Sequence, residues 1–286
     1  MTTTETIAVF GATGQQGGSV IDALLPKGAR VRALVRDPQS EAAEALEARG
    51  VELAAIDLDR PETASAALAG IDAFFFMTTP GRSGDIGAEV VQGKTLADAA
   101  KTAGVARIVF SSVGGAERHT RIPHFDTKRE VEEYLLSLGL DVAIVRPVFF
   151  MENLTFMGAG IENGEVILRM PLPDGIPLQM VAVRDIGTVA AALLDPDARK
   201  GAIEIAGDER TGTQIAEAIG AATGLPARYE ALPADALGDY DAARMFEWFT
   251  ELPAYQADFE ATRALAPELL DLPGWLAVTG WRPTAR

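Results

Sequence analysis

The sequence predicts an α/β fold: a doubly wound parallel sheet with helices on both faces, followed by a smaller C-terminal α/β portion. Short apolar runs alternate six times with helical patterns before residue 150, and the links between them are short. This alternation is typical of such a sheet. With 286 residues, 48% of them hydrophobic, the chain is long enough for one large domain or one and a half.

Six strands are expected in the first half of the chain, and the four apolar residues of the first one, 7–10, suit a strand buried on both faces. The six strands cover residues 7–10, 31–35, 51–56, 73–77, 107–110 and 141–145. The helices expected between them run through 20–24, 41–49, 61–68, 87–103 and 124–138. Ligands of such sheets bind beyond the carboxyl ends of the strands, so the residues at those ends are site candidates.

Beyond residue 150 the alternation loosens. Strands are expected at 166–170, 178–183 and 202–205, and helices at 185–194, at 213–222 and within 239–279. We therefore predict a first domain at 1–150 and a smaller portion at 151–286, from which a strand around 178–206 can return to the main sheet. The second portion is expected to shape a substrate pocket, with Phe246, Trp248 and Phe249 in its core.

Composition narrows the classes of function. The chain has no cysteine and two histidines, so no thiol nucleophile and no metal centre are expected. A formal net charge of −16 would repel phosphates, so no direct nucleic-acid partner is expected. No secretion signal precedes the first strand, and no segment reaches the roughly 18 apolar residues of a membrane span. These features favour a cytoplasmic protein, and a monomer and a homodimer both stay open.

Three glycines follow the first strand at a spacing of three: Gly11, Gly14 and Gly17. A strand that turns sharply into a helix leaves unpaired N–H groups at the helix start, and these suit a phosphate. Gly11 allows the tight turn, Gly14 lets a ligand approach the backbone, and Gly17 lets the helix pack on the strand. In this context the motif predicts a dinucleotide site. The alternative is a glycine turn that binds no ligand.

Arg36 stands at the end of the second strand, where the choice of nicotinamide cofactor is made. NAD sites usually place a carboxylate there, whereas NADP sites place a cation. A guanidinium can hold the 2′-phosphate with two charge-assisted bonds, which favours NADP(H). Asp37 is interpreted as a turn or helix-capping acid before Pro38. The alternative for Arg36 is a solvated surface charge.

Five segments resemble the NmrA-like family of atypical short-chain dehydrogenases/reductases: GATGQQG at 11–17, VRDP at 35–38, DLD at 57–59, HFDTKREVEEYL at 124–135 and RPVFFMENL at 146–154. The resemblance runs over nearly the whole chain, and the last two segments are the most specific. It implies a Rossmann domain with a substrate cleft between that domain and the C-terminal portion.

The resemblance also implies roles for single residues. Gln15 and Gln16 would line the pyrophosphate, Asp57 and Leu58 would lie near the adenine, and Thr78 and Thr79 would flank the cofactor. Lys128 would bind the nicotinamide ribose, with Phe149, Phe150 and Asn153 closing over the ring. The predicted cofactor-binding residues are Gly11, Thr13, Gly14, Gln15, Gln16, Gly17, Arg36, Asp57, Leu58, Thr78, Thr79, Ser111, Lys128, Phe150 and Asn153.

The catalytic residues predicted are Lys128 and His124. Short-chain dehydrogenases generally use Tyr-x-x-x-Lys, and here His124 stands at the Tyr position. Residues at i and i+4 share a helix face, and histidine can donate a proton near neutral pH. The alternative is that His124 caps a helix or packs on the cofactor. Ser111 and Ser112 either polarise a carbonyl or serve as turn residues.

Two functions are therefore predicted. The first is an NADPH-dependent oxidoreductase that reduces a small carbonyl, quinone or enone, with a small molecule as its partner. The second, which the family resemblance implies, is a non-catalytic NADP(H) sensor that regulates a protein partner. The His-x-x-x-Lys variant favours the sensor, whereas the aromatic RPVFFMENL segment favours an apolar substrate pocket.

Overall fold

The computed structural model describes residues 5–79 and 86–285. The strands in these ranges are β1 (Thr6–Phe10), β2 (Arg30–Val35), β3 (Glu52–Ala55), β4 (Ala73–Met77), β5 (Arg107–Ser111), β6 (Val142–Pro147), β7 (Phe149–Phe150), β8 (Ala159–Glu162), β9 (Glu165–Met170), β10 (Leu178–Val181), β11 (Gly201–Ile205), β12 (Asp208–Arg210) and β13 (Ala227–Ala231). The helices are α1 (Gln15–Leu24), α2 (Glu41–Glu47), α3 (Pro61–Ala67), α4 (Ile86–Ala103), α5 (Pro123–Ser137), α6 (Val183–Leu193), α7 (Gly212–Thr223), α8 (Tyr240–Phe249), α9 (Phe259–Leu265) and α10 (Leu272–Thr279).

Seven strands form the central sheet, in the order β3-β2-β1-β4-β5-β6-β11. Every neighbouring pair is parallel, so all carboxyl ends meet at one edge. This is the doubly wound, Rossmann-like fold that the sequence predicts, and the prediction is confirmed. The strand β11, which comes from beyond residue 150, pairs with the outer edge of β6. The division of the chain into two portions at residue 150 stays a prediction.

Side chains of the sheet alternate between two hydrophobic layers. In β4, Phe75 belongs to the layer that holds α1 and α6, whereas Phe74 and Phe76 face the layer of α3, α4 and α5. All three rings are fully buried. A parallel sheet covered on both faces needs such apolar runs, which is why these strands are visible in the sequence.

Two three-stranded sheets complete the C-terminal portion, in the orders β12-β10-β7 and β13-β9-β8. The sequence indicates β9 and β10 but not β7, β8, β12 or β13. The strands β7, β8 and β12 have only two to four residues, and the edge strand β13 has no buried residue. Within the described ranges, no helix combines the length and the apolar character that a membrane span requires.

Candidate functional site

The turn from β1 into α1 has the geometry of an anion site. Gly11 has a φ of +72°, in the left-handed region that favours glycine. A Cβ atom on Gly17 would lie 2.2 Å from the carbonyl oxygen of Gly11, so only glycine lets the helix start this close to the turn. In the part of the chain that the structure describes, no side chain caps the N-terminus of α1, and the first turn of this helix contains no acidic residue. The first N–H groups of α1 are therefore available to a ligand.

One cavity, of about 850 Å³, opens at the carboxyl ends of β1, β2 and β3, and we call it the Arg36 groove. Five of the predicted cofactor-binding residues line it: Gly11, Thr13, Arg36, Asp57 and Leu58. Ser40 and Gln92 also line the groove, and the sequence did not point to either of them.

Arg36 is the exposed cation of this groove, and within the described residues its guanidinium has no hydrogen bond or ion pair. The neighbouring acids are engaged locally. The Asp37 carboxylate accepts the N–H of Gln39 at 2.9 Å. The Asp57 carboxylate accepts the N–H of Asp59 at 3.0 Å. Asp37 is thus a turn acid, as predicted, and the guanidinium is left free for an anion.

A second cavity, of about 350 Å³, lies beyond β4, β5 and β6, and we call it the aromatic cavity. Its apolar wall includes Phe125, Phe149, Phe150, Met245 and Tyr255. Its polar wall includes Gln16, Thr78, Glu89, Ser112, His124, Lys128, Asn153 and Asp241. Phe246, Trp248 and Phe249 are buried, which confirms that they belong to the core.

Lys128 is held by a buried carboxylate that the sequence analysis did not identify. Its Nζ lies 2.5 Å from Glu89 Oε1 and 2.9 Å from Thr78 Oγ1, and it also donates to the Thr78 carbonyl. Glu89, which is fully buried, also accepts the Thr127 hydroxyl at 2.6 Å. Burial lowers the pKa of Lys128, and Glu89 opposes this effect. Glu89 lies on the buried face of α4 with Gly93 and Leu96, which is the signal that could have identified it.

His124 and Asp241 form a second polar pair. The Asp241 carboxylate accepts the backbone N–H of His124 at 2.9 Å and also contacts the ring Nδ1. Burial pushes the pKa of Asp241 upward, but the hydrogen bonds and charge of His124 outweigh burial, so this pKa lies below its usual value. The sequence gives no signal for this pair, because 117 positions separate the two residues.

Two unpartnered hydroxyl groups belong to residues of the aromatic cavity. Among the described residues Ser112 Oγ is buried without a hydrogen-bond partner, while Ser111 Oγ donates to Gln16 Oε1 at 2.7 Å. The Tyr255 hydroxyl makes no hydrogen bond within the described residues, and burial together with Glu204 raises its pKa. Arg118 holds the backbone next to Tyr255, because it pairs with Glu204 and donates to the Ala254 carbonyl at 2.8 Å. The sequence analysis missed Tyr255, which lies far along the chain from the Lys128 helix.

Some predicted residues line neither cavity: Gly14, Gln15, Gly17, Thr79 and Ser111. Gly14 and Gly17 shape the turn, and Gln15 is the exposed first residue of α1. The backbone N–H of Thr79 donates to Gln92 at 3.2 Å. Their roles at a cofactor stay predictions.

Comparisons with known proteins show the family of this chain. The model of the NmrA-like family matches residues 3–279. The chain is 36% identical over 229 residues to the NAD(P)H azoreductase of Xenophilus azovorans, covering 79% of this chain and 77% of that protein. It is 29% identical over 231 residues to quinone oxidoreductase 2 of Escherichia coli (strain K12), with coverages of 79% and 77%.

A solved structure of similar fold is the triphenylmethane reductase of Citrobacter sp. complexed with NADP(H). The TM-score is 0.82 at 21% sequence identity, with 96% of this chain and 99% of that chain covered. At this identity the likeness concerns the fold alone.

Proposed function

The chain belongs to the NmrA-like family, and from that premise we propose that it is an NADPH-dependent oxidoreductase that reduces a small, mostly apolar quinone, enone or carbonyl compound. One observation carries the proposal: the β1–α1 turn borders both cavities. Gly11 and Thr13 line the Arg36 groove, and Gln16 lines the aromatic cavity. A pyrophosphate on this turn would join an adenosine in the groove to a nicotinamide in the aromatic cavity.

The donor groups of the site fit such a cofactor. The free guanidinium of Arg36 suits a 2′-phosphate, and the uncapped start of α1 suits a pyrophosphate. A buried hydroxyl without a partner, as at Ser112, calls for a ligand atom. Asp57 and Leu58 would lie near the adenine, and Phe150 and Asn153 near the nicotinamide. Lys128 would reach the nicotinamide ribose by exchanging one of its bonds to Thr78.

When bound, the reduced nicotinamide supplies a hydride. The aromatic wall would seat a flat apolar acceptor and exclude water from it, since Phe149, Phe150 and Tyr255 all line the cavity. His124 would supply the proton that balances the hydride, and Ser112 and Tyr255 have hydroxyl groups free to hold the oxygen of the acceptor. Lys128 contributes a fixed positive charge beside the cofactor.

The names of two relatives support this class of reaction. One is an azoreductase that uses NAD(P)H, and the other is a quinone oxidoreductase. The sensor alternative receives less support, because a protein that only binds NADP(H) does not need an apolar cavity beside the nicotinamide.

The test is an assay of turnover and binding on the same preparation. Purified protein is mixed with NADPH and a panel of benzoquinones, naphthoquinones, enones, aldehydes and azo dyes, and the absorbance of NADPH is followed. We expect acceptor-dependent oxidation with at least one apolar acceptor. Tight NADPH binding without oxidation by any acceptor would favour the sensor. If neither NADPH nor NADH binds, both functions are wrong.

A further inference from the structure

The Asp241 carboxylate contacts His124 at two points. Its Oδ1 accepts the backbone N–H of His124 at 2.9 Å, and its Oδ2 contacts the ring Nδ1. Both side chains line the aromatic cavity and are about one quarter exposed, at 28% for His124 and 26% for Asp241. The contact joins the start of α5, which lies against the main sheet, to the start of α8 in the C-terminal portion.

We propose that Asp241 is a positioning residue that holds His124 as the proton donor of the reduction. This inference rests on the function proposed above. A carboxylate at Nδ1 keeps the proton on that nitrogen, fixes the orientation of the ring and stabilises the imidazolium ion. The other ring nitrogen, Nε2, is then the one that can serve the acceptor.

The surroundings of Asp241 keep it ionised. It lies in the first turn of α8 and bonds to the first turn of α5, so the positive ends of two helix dipoles stabilise its negative charge. The hydrogen bonds and charge of His124 lower the pKa of Asp241 further than burial raises it. The pair thus consists of a carboxylate and an imidazole that can carry a proton.

The other titratable groups of the aromatic cavity are poor proton donors to an acceptor. The ammonium of Lys128 donates to Glu89 and Thr78. Tyr255 has a raised pKa, so it holds its proton and can only donate a hydrogen bond. Glu89 is paired with Lys128 and Asp241 with His124, so among the described groups that line this cavity the imidazole of His124 is left as the one suited to proton transfer.

The proton and electron balance of the step is simple. The acceptor takes a hydride, which is two electrons and one hydrogen, from the reduced nicotinamide, and its oxygen becomes negative. The Nε2–H bond of the imidazolium breaks, and the proton forms an O–H bond with that oxygen. His124 is left neutral, with its remaining proton on Nδ1 and hydrogen-bonded to the ionised Asp241, and solvent protonates Nε2 before the next turnover.

The test compares Asp241→Asn with His124→Phe and with Asp239→Asn. Asp239 caps the same helix by accepting the N–H of Ala242 at 2.8 Å, and asparagine caps equally well, so its variant removes one charge without touching His124. We expect Asp241→Asn to lower kcat at least about tenfold with the Kd for NADPH unchanged, and to move the alkaline limb of the kcat profile to lower pH. Asp239→Asn should leave kcat and its pH profile unchanged.

A merely structural role is excluded by the double variant. If Asp241 acts through His124, the variant with both substitutions loses no more kcat than His124→Phe alone. Normal kcat and pH profile in Asp241→Asn, beside a kcat of His124→Phe that is strongly lowered but still measurable, would overturn the inference and leave the proposed reductase standing. A normal kcat in His124→Phe would also overturn it. A wild-type protein that oxidises no NADPH with any acceptor overturns the reductase and this inference together.

A spectroscopic measurement needs no variant that might fail to fold. In the wild-type protein with bound NADP⁺, the Nδ1 proton of His124 should give a strongly downfield proton resonance, coupled to a histidine nitrogen. Its absence would overturn the inference whatever the variants show.

Discussion

Glu89 and Lys128 form an ion pair at the wall of the aromatic cavity, with 2.5 Å between Oε1 and Nζ and with the carboxylate fully buried. The pair joins α4 to α5. Another α4–α5 pair, Lys94 with Glu130, spans a similar 2.6 Å but lies on the surface. The same two helices thus carry one buried and one solvated ion pair. Comparing variants of the two pairs therefore separates the effect of burial on stability from the effect of charge.

Glu89→Gln should lower the free energy of unfolding by about 3 kcal/mol, because it leaves the ammonium of Lys128 buried without its counter-ion. Glu130→Gln should cost less than about 1 kcal/mol, since its pair is exposed to solvent. Urea unfolding of both variants at pH 7 measures the difference. Equal losses would mean that the buried pair contributes no more than the exposed one.

Gly17→Ala should weaken the binding of NADPH at least about tenfold and destabilise the protein by about 2 kcal/mol, because its Cβ would overlap the backbone of Gly11. Gly18→Ala is the matched control in the next position of α1. A Cβ there would lie 3.7 Å from the carbonyl oxygen of Ala12, which is an ordinary contact. It should stabilise the helix by about 0.5–1 kcal/mol. Calorimetric titration and thermal unfolding measure both effects.

Arg36→Ala should weaken NADPH binding at least about tenfold and leave NADH binding nearly unchanged, because the lost guanidinium would contact only the 2′-phosphate. Arg263, an exposed arginine of α9 that lines neither cavity, gives the control Arg263→Ala. Dissociation constants for both cofactors are compared at two salt concentrations. An equal loss for NADPH and NADH would show that Arg36 does not read the 2′-phosphate.

Tyr255→Phe should lower kcat/KM for quinone acceptors about tenfold without changing the Kd for NADPH, because it removes one free hydroxyl and keeps the ring. Tyr229 provides a contrast, since its hydroxyl donates to the carbonyl of Leu172 at 2.5 Å. Tyr229→Phe should therefore reduce stability and spare kcat/KM. Unchanged kinetics in Tyr255→Phe would show that this hydroxyl does not contact the acceptor.

Glu152→Gln tests a dependence of stability on pH. Both carboxylate oxygens of Glu152 accept the N–H of Val183 at 3.1 Å, and Oε1 also accepts Trp275 Nε1–H at 2.9 Å, yet burial raises its pKa above 4.5. In the window above pH 4.5 the folded state therefore binds more protons than the unfolded state. Below that window the contribution of Glu152 to the free energy of unfolding has its full value. The contribution falls as the pH rises from 4.5 to the raised pKa of the folded state, because the buried carboxyl group then loses its proton.

The variant should show a flatter dependence of unfolding free energy on pH in this window, with urea unfolding at a series of pH values as the measurement. Some slope should persist, because burial raises the pKa of Asp185 in the same direction. An identical slope in wild type and variant would contradict the assignment to Glu152.

The sheet could be predicted because strands buried on both faces are apolar runs, and the turn could be predicted because Gly11 and Gly17 satisfy backbone constraints that no other residue meets. The edge strands β12 and β13 could not be predicted, since pairing at the edge of a sheet needs no apolar pattern. Two residues of the candidate site could also be predicted from the sequence. Arg36 directly follows an expected strand, and Lys128 belongs to a recognisable motif.

Asp241 and Tyr255 could not be identified, because only the packing of the C-terminal portion brings them beside His124. Ser111 and Ser112 show a finer limit. Neighbouring residues at the end of a strand face opposite sides, and a sequence pattern does not resolve which of the two meets the cavity.

Because β11 lies far beyond β6 in the sequence, the main sheet stays incomplete during most of the synthesis of the chain. Residues 201–205 supply the last strand of the main sheet, and until they are synthesised β6 presents an open row of N–H and C=O groups. A nascent chain that stalls after residue 150 would expose this edge to its neighbours on the same messenger. A fragment made by dividing this protein at residue 150, as in a split reporter, would therefore keep the edge of β6 unpaired and be prone to aggregate.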